Sequence, residues 1–211
     1  MIDYSLKEVS NIHKIAFATV NYNNSQELFE ELKKNKIKLN QLAEFTNEKR
    51  KVEWMTIRYL LLQIHNELDD IIYDAHGKPH FKKSSSHLSI SHSHNMVAVS
   101  IHEKEVCGID IQLISDKIIR IKQKFLNSTE QSVTKNDPEQ LTIYWSCKEA
   151  LFKIYGKKDA YLKENMSVSE IQFNGASGIA NGYIHINQHQ SHHKIELLKL
   201  ENYMMAYVVN S

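Results

Sequence analysis

The chain has 211 residues, of which 42% are hydrophobic and 24% charged, as in an ordinary folded globular protein. Its formal net charge is +1, which excludes a protein that grips nucleic acid by bulk positive charge. With two cysteines and no apolar stretch approaching about 18 residues, the sequence also argues against a disulfide-built domain and a membrane span. The N-terminal residues have no apolar core of a secretory signal, so the sequence predicts a cytoplasmic protein.

The first half is predicted to begin with a strand at residues 15–20 and a polar helix at 25–34. A longer helix follows, and Thr46 or Asn47 can cap its N-terminus. The apolar stripe of this helix consists of Val52, Met55, Tyr59 and Leu62.

Strands are predicted after residue 76. GKP at 77–79 is a turn sequence, and HLSIS at 87–91 alternates between apolar and polar residues. MVAVSI at 96–101 and VCGIDIQ at 106–112 are two further predicted strands. The residues between them, 102–105, suit either a hairpin loop or a linker between two lobes.

The second half is predicted to begin with three helices. The longest has Asp137 as its N-cap and Pro138 in its first turn, and it ends near Tyr155, where Gly156 stops it. The caps of the two shorter helices are Ser115 or Asp116, and Ser128 in a capping box with Gln131. Strands follow at 183–187, 194–200 and 203–209, with Asn174-Gly175 and Asn181-Gly182 as hairpin turns.

Helices followed by antiparallel strands thus occur twice, and HNMVAVSI resembles NYMMAYVV. A single domain or two fused lobes both suit the length. We predict an α+β fold of two tandem lobes related by a pseudo-twofold axis, each with helices packed on a small antiparallel sheet. The predicted lobes are residues 1–104 and 105–211.

The segment VCGIDIQ places two oxygen-bearing side chains on one face of a strand. Strand alternation puts Gly108, Asp110 and Gln112 together, opposite Cys107, Ile109 and Ile111. Gly108 permits close approach to the backbone, and the two oxygen side chains suit a hard cation. Taken alone, an aspartate at a strand end is more often a turn or cap residue.

The segment WSCKEALFK places charged residues along one face of the long helix. Trp145, Glu149 and Lys153 are spaced by four residues, while Lys148 points about 100° away. Considered in isolation, Glu149 and Lys153 would be an ordinary surface ion pair.

Together, the two segments resemble the signatures (I/V)G(I/V)D and (F/W)(S/C/T)xKE(A/S)xxK of the phosphopantetheinyl transferase superfamily. The second signature is matched at every specified position, while Cys107 replaces the usual aliphatic residue of the first. GKP at 77–79, SISHS at 89–93 and FLNSTE at 125–130 resemble secondary blocks of the family, in the same order. The length is similar to that of the surfactin-type group, whose members carry two lobes in one chain.

The resemblance implies transfer of a 4'-phosphopantetheine group from coenzyme A to a serine of an apo acyl, peptidyl or polyketide carrier protein. It further implies a Mg²⁺ ion held at the lobe junction by Asp110 and Glu149, with Gln112 beside them where many relatives have glutamate. Glu149 also matches the proposed general base, and Lys153 would stabilise charge on the phosphate. The expected enzyme is a monomer of the holo-[acyl-carrier-protein] synthase type, with neither nucleic acid nor membrane as a partner.

The resemblance also implies which residues bind coenzyme A. Ser91 and His92 match contacts to its 3'-phosphate and adenosine part. The other implied contacts are Lys49 or Arg50 for the 3'-phosphate, Lys78 and Pro79 for the adenine end, and Lys148 for a phosphate. Arg58 is assigned a structural role.

Two alternative functions are open at this point. One is a non-catalytic coenzyme A-binding module on the same fold, which the neutral Gln112 favours slightly. The other is a histidine-rich metal-binding protein, suggested by SHSH at 91–94, by His87 and by His189, His192 and His193. Bunched histidines without spaced cysteine or acidic partners are weak metal signals.

Overall fold

The structure is a computed structural model that describes residues 3–65, 70–187 and 189–209. It divides into two compact units, with the division between Val106 and Cys107. Both units combine helices with an antiparallel sheet, so the α+β fold class predicted from the sequence is confirmed.

The first unit is built on a sheet with the strand order β1-β2-β6-β5-β4-β3. Its strands are β1 (Ser5–Ser10), β2 (His13–Thr19), β3 (Ile71–Tyr73), β4 (Pro79–Phe81), β5 (His87–Ser93) and β6 (Met96–His102). Helices α1 (Ser25–Lys34) and α2 (Glu48–Ile64) complete the unit. The side chain of Asn47 accepts the backbone N–H of Lys49, so Asn47 rather than Thr46 is the N-cap of α2.

The first core lies between α2 and one face of this sheet. Its centre consists of Leu28, Leu32, Val52, Leu60, Leu88, Val97 and Val99, each at most 2% exposed. Since alternate residues of a strand share a face, Leu88, Ile90 and His92 of β5 all point towards the side that α2 covers. This alternation brings His92 to the helix.

The second unit has the sheet order β7-β11-β10-β9-β8. Its strands are β7 (Ile109–Leu113), β8 (Met166–Phe173), β9 (Ser177–Ile186), β10 (His189–Leu200) and β11 (Tyr203–Val209). Its helices are α3 (Lys117–Ile121), α4 (Ser128–Val133), α5 (Pro138–Tyr155) and α6 (Leu162–Asn165). Helix α5 packs on the sheet, and its start and stop agree with the prediction: Asp137 caps it, and Gly156 ends it at φ 73°.

Three local predictions are corrected. Residues 102–105 do not form a hairpin loop, because β6 and β7 belong to different sheets. Asn181-Gly182 lies inside β9 rather than in a turn. The capping box of α4 is one residue earlier than predicted, with Asn127 and Glu130 exchanging the two hydrogen bonds.

The similar segments HNMVAVSI and NYMMAYVV occupy matching positions in the two sheets. Each contains the second strand of a hairpin, β6 after β5 and β11 after β10. The residue that follows the first strand has left-handed backbone in both hairpins, His94 at φ 53° and Glu201 at φ 52°. No helix of the described residues is both long and apolar enough to cross a membrane.

Gly108 lets the start of β7 lie directly against α5. A Cβ atom at this position would be 2.1 Å from the carbonyl oxygen of Ala150 and 3.0 Å from Cγ1 of Ile154. The first of these obstacles is helix backbone, which a side-chain rotation does not relieve. The glycine therefore sets how closely Asp110, two residues later, approaches the helix.

We predict that Gly108→Ala lowers the free energy of unfolding by roughly 1–3 kcal/mol, because the added methyl group overlaps helix backbone. Urea unfolding of the purified protein measures this change. Ser177→Ala, at an exposed position of β9, is the control and should change stability by less than about 0.5 kcal/mol. Equal stability of the two variants would contradict the tight contact.

Candidate active site

Asp110 and Lys153 join β7 to α5. The Lys153 Nζ atom donates to Asp110 Oδ1 over 3.0 Å and to the carbonyl oxygen of Ile109 over 2.7 Å. Asp110 is 6% exposed, and its Oδ2 atom is buried without a hydrogen bond to the described residues. The strand and the helix thus hold one carboxylate in a fixed orientation.

Glu149 lies one turn before Lys153 on α5, near the same carboxylate. Burial, and to a smaller extent the negative charge of Asp110, raise the pKa of Glu149 to about 7, although the nearby Lys153 lowers it. Two carboxylates that repel each other in a partly buried place are a favourable setting for a cation. Gln112, on the same strand face as Asp110, is partly buried, and its Nε2 atom is 3.5 Å from the carbonyl oxygen of Leu113.

The donor set fits a hard divalent cation. Carboxylate and amide oxygens are ligands that Mg²⁺ accepts, and it commonly completes its shell with phosphate and water. Among the described residues no group of three or more His, Cys, Asp or Glu side chains forms a metal site. A cation here would have the carboxylates of Asp110 and Glu149 as its protein ligands, and Gln112 lies on the same strand face as Asp110.

Lys148 has a structural role, which corrects its assignment to a phosphate. Its side chain is 0% exposed, and Nζ donates to Glu130 Oε2 over 2.6 Å. Nζ also donates to the carbonyl oxygens of Phe125 (2.6 Å) and Leu162 (3.1 Å). These three bonds use all three ammonium protons. Burial lowers the pKa of Lys148, and the neighbouring Glu130 counteracts this effect.

The ion pair between Lys148 and Glu130 gives a structural role to the segment FLNSTE at 125–130. Glu130 closes the capping box of α4, and its Oε1 atom accepts the backbone N–H of Val168 over 3.0 Å. Asn127 is the N-cap, and Phe125 supplies a carbonyl to Lys148. This block therefore ties α4, α5 and β8 together inside the second unit.

A separate pocket lies in the first unit and contains several of the residues assigned to coenzyme A. It has a volume of about 400 Å³. Its lining includes Arg50, Glu53, Trp54, Arg58, Pro79 and His92. Arg50 Nη1 lies 3.1 Å from His92 Nε2 and 3.3 Å from Glu53 Oε2. The structure thus places Arg50, Pro79 and His92, three of the residues assigned to coenzyme A, on the walls of one pocket.

The surroundings of the other residues assigned to coenzyme A in the first unit differ from those of Arg50, Pro79 and His92. These residues are Lys49, Lys78 and Ser91. Lys49 lies 3.9 Å from Glu53 Oε1, next to Arg50 on α2. The backbone N–H of Lys78 donates to Asp74 Oδ1 over 2.9 Å, in the turn that precedes Pro79. Ser91 is 5% exposed, and strand alternation directs its side chain to the sheet face opposite His92. The structure therefore does not bring the Ser91 and His92 side chains together.

The sequence did not identify most of the residues that line this pocket as binding residues. Arg58 was assigned only a structural role, and it lies 3.6 Å from the centre of the Trp54 ring and hydrogen-bonds with Tyr73. Glu53 was not singled out, although its carboxylate meets both basic residues of the preceding turn. The available signal was the spacing of Lys49, Arg50 and Glu53, which places all three on one helix face.

The histidines do not form a metal centre within the described residues. His92 contacts Arg50, while His192 pairs with Asn181 Oδ1 over 3.2 Å. His193 lies 2.9 Å from the hydroxyl of Ser191, and the side chain of His189 lies outside the described residues. The structure offers no support for the histidine-rich metal protein.

Comparison with known proteins points to the class of the second unit. Residues 106–208 match the model of the 4'-phosphopantetheinyl transferase superfamily, a stretch that contains Asp110, Glu149 and Lys153. A curated relative, the 4'-phosphopantetheinyl transferase HetI of Nostoc sp. (strain PCC 7120 / SAG 25.82 / UTEX 2576), is 26% identical over 103 residues. The aligned part is 44% of this chain and 44% of the relative, so the likeness covers less than half of each.

We predict that Lys148→Met lowers the free energy of unfolding by roughly 3–5 kcal/mol, because it leaves the buried Glu130 carboxylate without its cation. Urea unfolding measures the loss. The double variant Lys148→Met, Glu130→Gln should recover part of it, since the uncompensated charge is then gone. A Lys148→Met protein of wild-type stability would contradict the structural role.

We also predict that Glu149 makes the stability of the metal-free protein depend on pH. Its pKa in the folded state is about 7, above the ordinary 4.5, so the folded state binds the proton more tightly than the unfolded chain. The resulting stabilisation is complete below pH 4.5 and is lost as the pH rises through about 7. The free energy of unfolding in a chelator should therefore fall between about pH 5 and pH 8, relative to that of Glu149→Gln.

The control for this experiment is Glu139→Gln, which removes a carboxylate at the other end of α5. The difference in free energy of unfolding between Glu139→Gln and the wild type should not show this dependence on pH. A stability difference between wild type and Glu149→Gln that stays constant across this range would contradict the raised pKa.

Proposed function

We propose that this protein transfers the 4'-phosphopantetheine group of coenzyme A to a serine of an apo carrier protein in a Mg²⁺-dependent reaction. The observation that carries the proposal is that Asp110 on β7 lies close to Glu149 and Lys153 on α5. All three residues belong to the stretch that matches the superfamily. The relative from Nostoc sp. is a 4'-phosphopantetheinyl transferase, which supports the same reaction.

In the proposed reaction the serine oxygen attacks the β-phosphorus of coenzyme A. A new bond forms from this oxygen to the β-phosphorus, and the bond from the β-phosphorus to the bridging oxygen breaks. The products are 3',5'-ADP and the serine phosphodiester. The serine proton passes to Glu149, directly or through a water molecule.

The charges of the site suit this reaction. A bound Mg²⁺ would offset the charge of the pyrophosphate and hold the pKa of Glu149 below its metal-free value. Asp110 and Glu149 would hold this cation, and Gln112 would offer a neutral oxygen to it or to a water molecule bound to it. Lys153 is fixed by Asp110 and by a backbone carbonyl, so its ammonium group can stabilise developing phosphate charge without reorganising.

The pocket of the first unit is proposed to take the nucleotide end of coenzyme A. Arg50 and His92 offer nitrogen groups for the 3'-phosphate, and Pro79 lies on the wall of the same pocket. Lys49 and Lys78 add positive charge to the elements around it. The protein is proposed to act as a monomer on an acyl, peptidyl or polyketide carrier.

A non-catalytic coenzyme A-binding module on this fold would require neither Glu149 nor Lys153. Both residues are present, and Lys153 is tied to Asp110. The transferase is therefore the better supported of the two functions. A holo-[acyl-carrier-protein] synthase is the enzyme type that fits the proposal.

We predict that Asp110→Ala and Glu149→Ala each lower kcat by roughly a hundredfold or more, because each removes an anionic ligand of the cation. The assay incubates the protein with coenzyme A, Mg²⁺ and a panel of apo carrier proteins, and measures the mass gained by each carrier. Gln112→Ala should be milder, and Gln112→Glu should be tolerated.

Circular dichroism checks that each variant is folded, and exposed Glu170→Ala is the matched control for loss of a carboxylate. Full transfer by either Asp110→Ala or Glu149→Ala would contradict the site. Coenzyme A binding by the wild type without transfer to any carrier would instead favour the non-catalytic module.

A further inference from the structure

Glu53 is a buried carboxylate in the pocket of the first unit that the proposed reaction does not use. Its side chain is 5% exposed, whereas those of Lys49 and Arg50 are 45% and 53% exposed. A buried carboxylate is costly unless cations or hydrogen bonds compensate it. Glu53 meets this need with two basic residues of the preceding helical turn, one at each carboxylate oxygen.

Arg50 is held from two sides as a result. Its Nη1 atom faces Glu53 Oε2 at 3.3 Å and His92 Nε2 at 3.1 Å. Arginine only donates hydrogen bonds, so His92 Nε2 accepts this one and the imidazole is neutral in this arrangement. Both contacts use Nη1, which leaves the Nε and Nη2 protons of the guanidinium for a ligand.

The pairing decides where two long side chains point. Lys49 and Arg50 are solvent-accessible residues at the start of α2, and such side chains ordinarily sample many rotamers. The buried carboxylate of Glu53 draws both side chains towards itself, and of the two, Arg50 lines the pocket. Because Glu53 is paired with two cations, its own negative charge is largely offset at the position of an anionic ligand.

We propose that Glu53 is a positioning residue that holds Arg50 against His92 and thereby sets selectivity for a ligand with a terminal phosphate monoester. The inference rests on the proposed function, in which that phosphate is the 3'-phosphate of coenzyme A. Glu53 acts through Arg50 and is not a catalytic residue, because the phosphate that it helps to bind is remote from the reacting phosphorus.

The test compares coenzyme A with 3'-dephospho-coenzyme A in the wild type and in Glu53→Gln. Glutamine keeps the size of the side chain and removes its charge. The variant should raise KM for coenzyme A roughly tenfold and change kcat by less than about twofold, because the lost contact is equal in the ground and transition states. KM for 3'-dephospho-coenzyme A should stay the same, so that selectivity for the 3'-phosphate falls.

Glu48→Gln is the matched control. Glu48 lies on the same helix, is 76% exposed and pairs with Lys51 at 2.6 Å, away from Arg50 and His92. The control should keep the wild-type selectivity. If Glu53 served the fold alone, Glu53→Gln would lower the melting temperature and change KM for both ligands by the same factor. That result would overturn the inference.

Two further sets of variants test the role of Glu53. In an Arg50→Gln background, Glu53→Gln should have no additional effect on selectivity, since the residue it positions is absent. If Glu53→Gln does not fold, Glu53→Asp replaces it, because aspartate keeps the charge but is one methylene shorter and should also lose selectivity. An additive effect in the first set, or unchanged selectivity in the second, would overturn the inference.

Calorimetry measures the affinity of each protein for both ligands without any transfer reaction, so it tests the role of Glu53 independently of the proposed reaction. Tighter binding of coenzyme A by Glu53→Gln would show that repulsion by the carboxylate outweighs positioning, and would overturn the inference. A wild type that binds both ligands equally would overturn it as well, while transfer to carrier proteins would still decide the reaction. Loss of selectivity in Glu53→Gln, without transfer by the wild type, would support the role of Glu53 and reject the transferase.

Discussion

The contact between the start of β7 and the middle of α5 is the constraint on which the candidate active site depends. The carbonyl oxygen of Ala150 lies 2.1 Å from the position that a Cβ atom of residue 108 would take, so a side chain there would force the strand and the helix apart. At this separation the ammonium group of Lys153 reaches both the backbone of Ile109 and the carboxylate of Asp110. A wider spacing would separate Asp110 from Glu149, and the mutual effect that raises the pKa of Glu149 would weaken.

Helix α5 divides its charged residues between two tasks. Lys148 and Lys153 are five positions apart, about 140° around the helix, so they face different surroundings. Lys148 is enclosed and bonded to Glu130 and to two carbonyls, which fixes α4, the segment before it and the start of α6 against the helix. Lys153 remains partly exposed beside Asp110. The two lysines of the motif therefore have different surroundings, and Lys148 is the one that stabilises the interior of the unit.

The first unit uses charge in a similar way around its pocket. One buried carboxylate, Glu53, organises two exposed cations, and one buried cation, Arg58, lies on the ring of Trp54. Trp54 in turn donates its indole N–H to Gln41 over 3.0 Å. The polar walls of the pocket are thus held by contacts within this unit, and a phosphate ligand would meet groups whose orientation is already set.

The sequence by itself determined the α+β class, the long helices and the helix face that Glu149 and Lys153 share. Asp137, Pro138 and Gly156 are local signals that mark the ends of α5, and helical spacing alone puts Glu149 and Lys153 on one face. The exposed first strand, β1, was missed because its polar sequence SLKEVS lacks the apolar alternation of a half-buried strand. Only the tertiary structure decided that Lys148 is structural and that Ser91 and His92 point to opposite faces. It alone also showed that Glu53 links Lys49 and Arg50 to the pocket. The physical reason is that these roles depend on burial and on partners distant in sequence, such as Glu130 for Lys148 and His92 for Arg50, which no local pattern of residues contains.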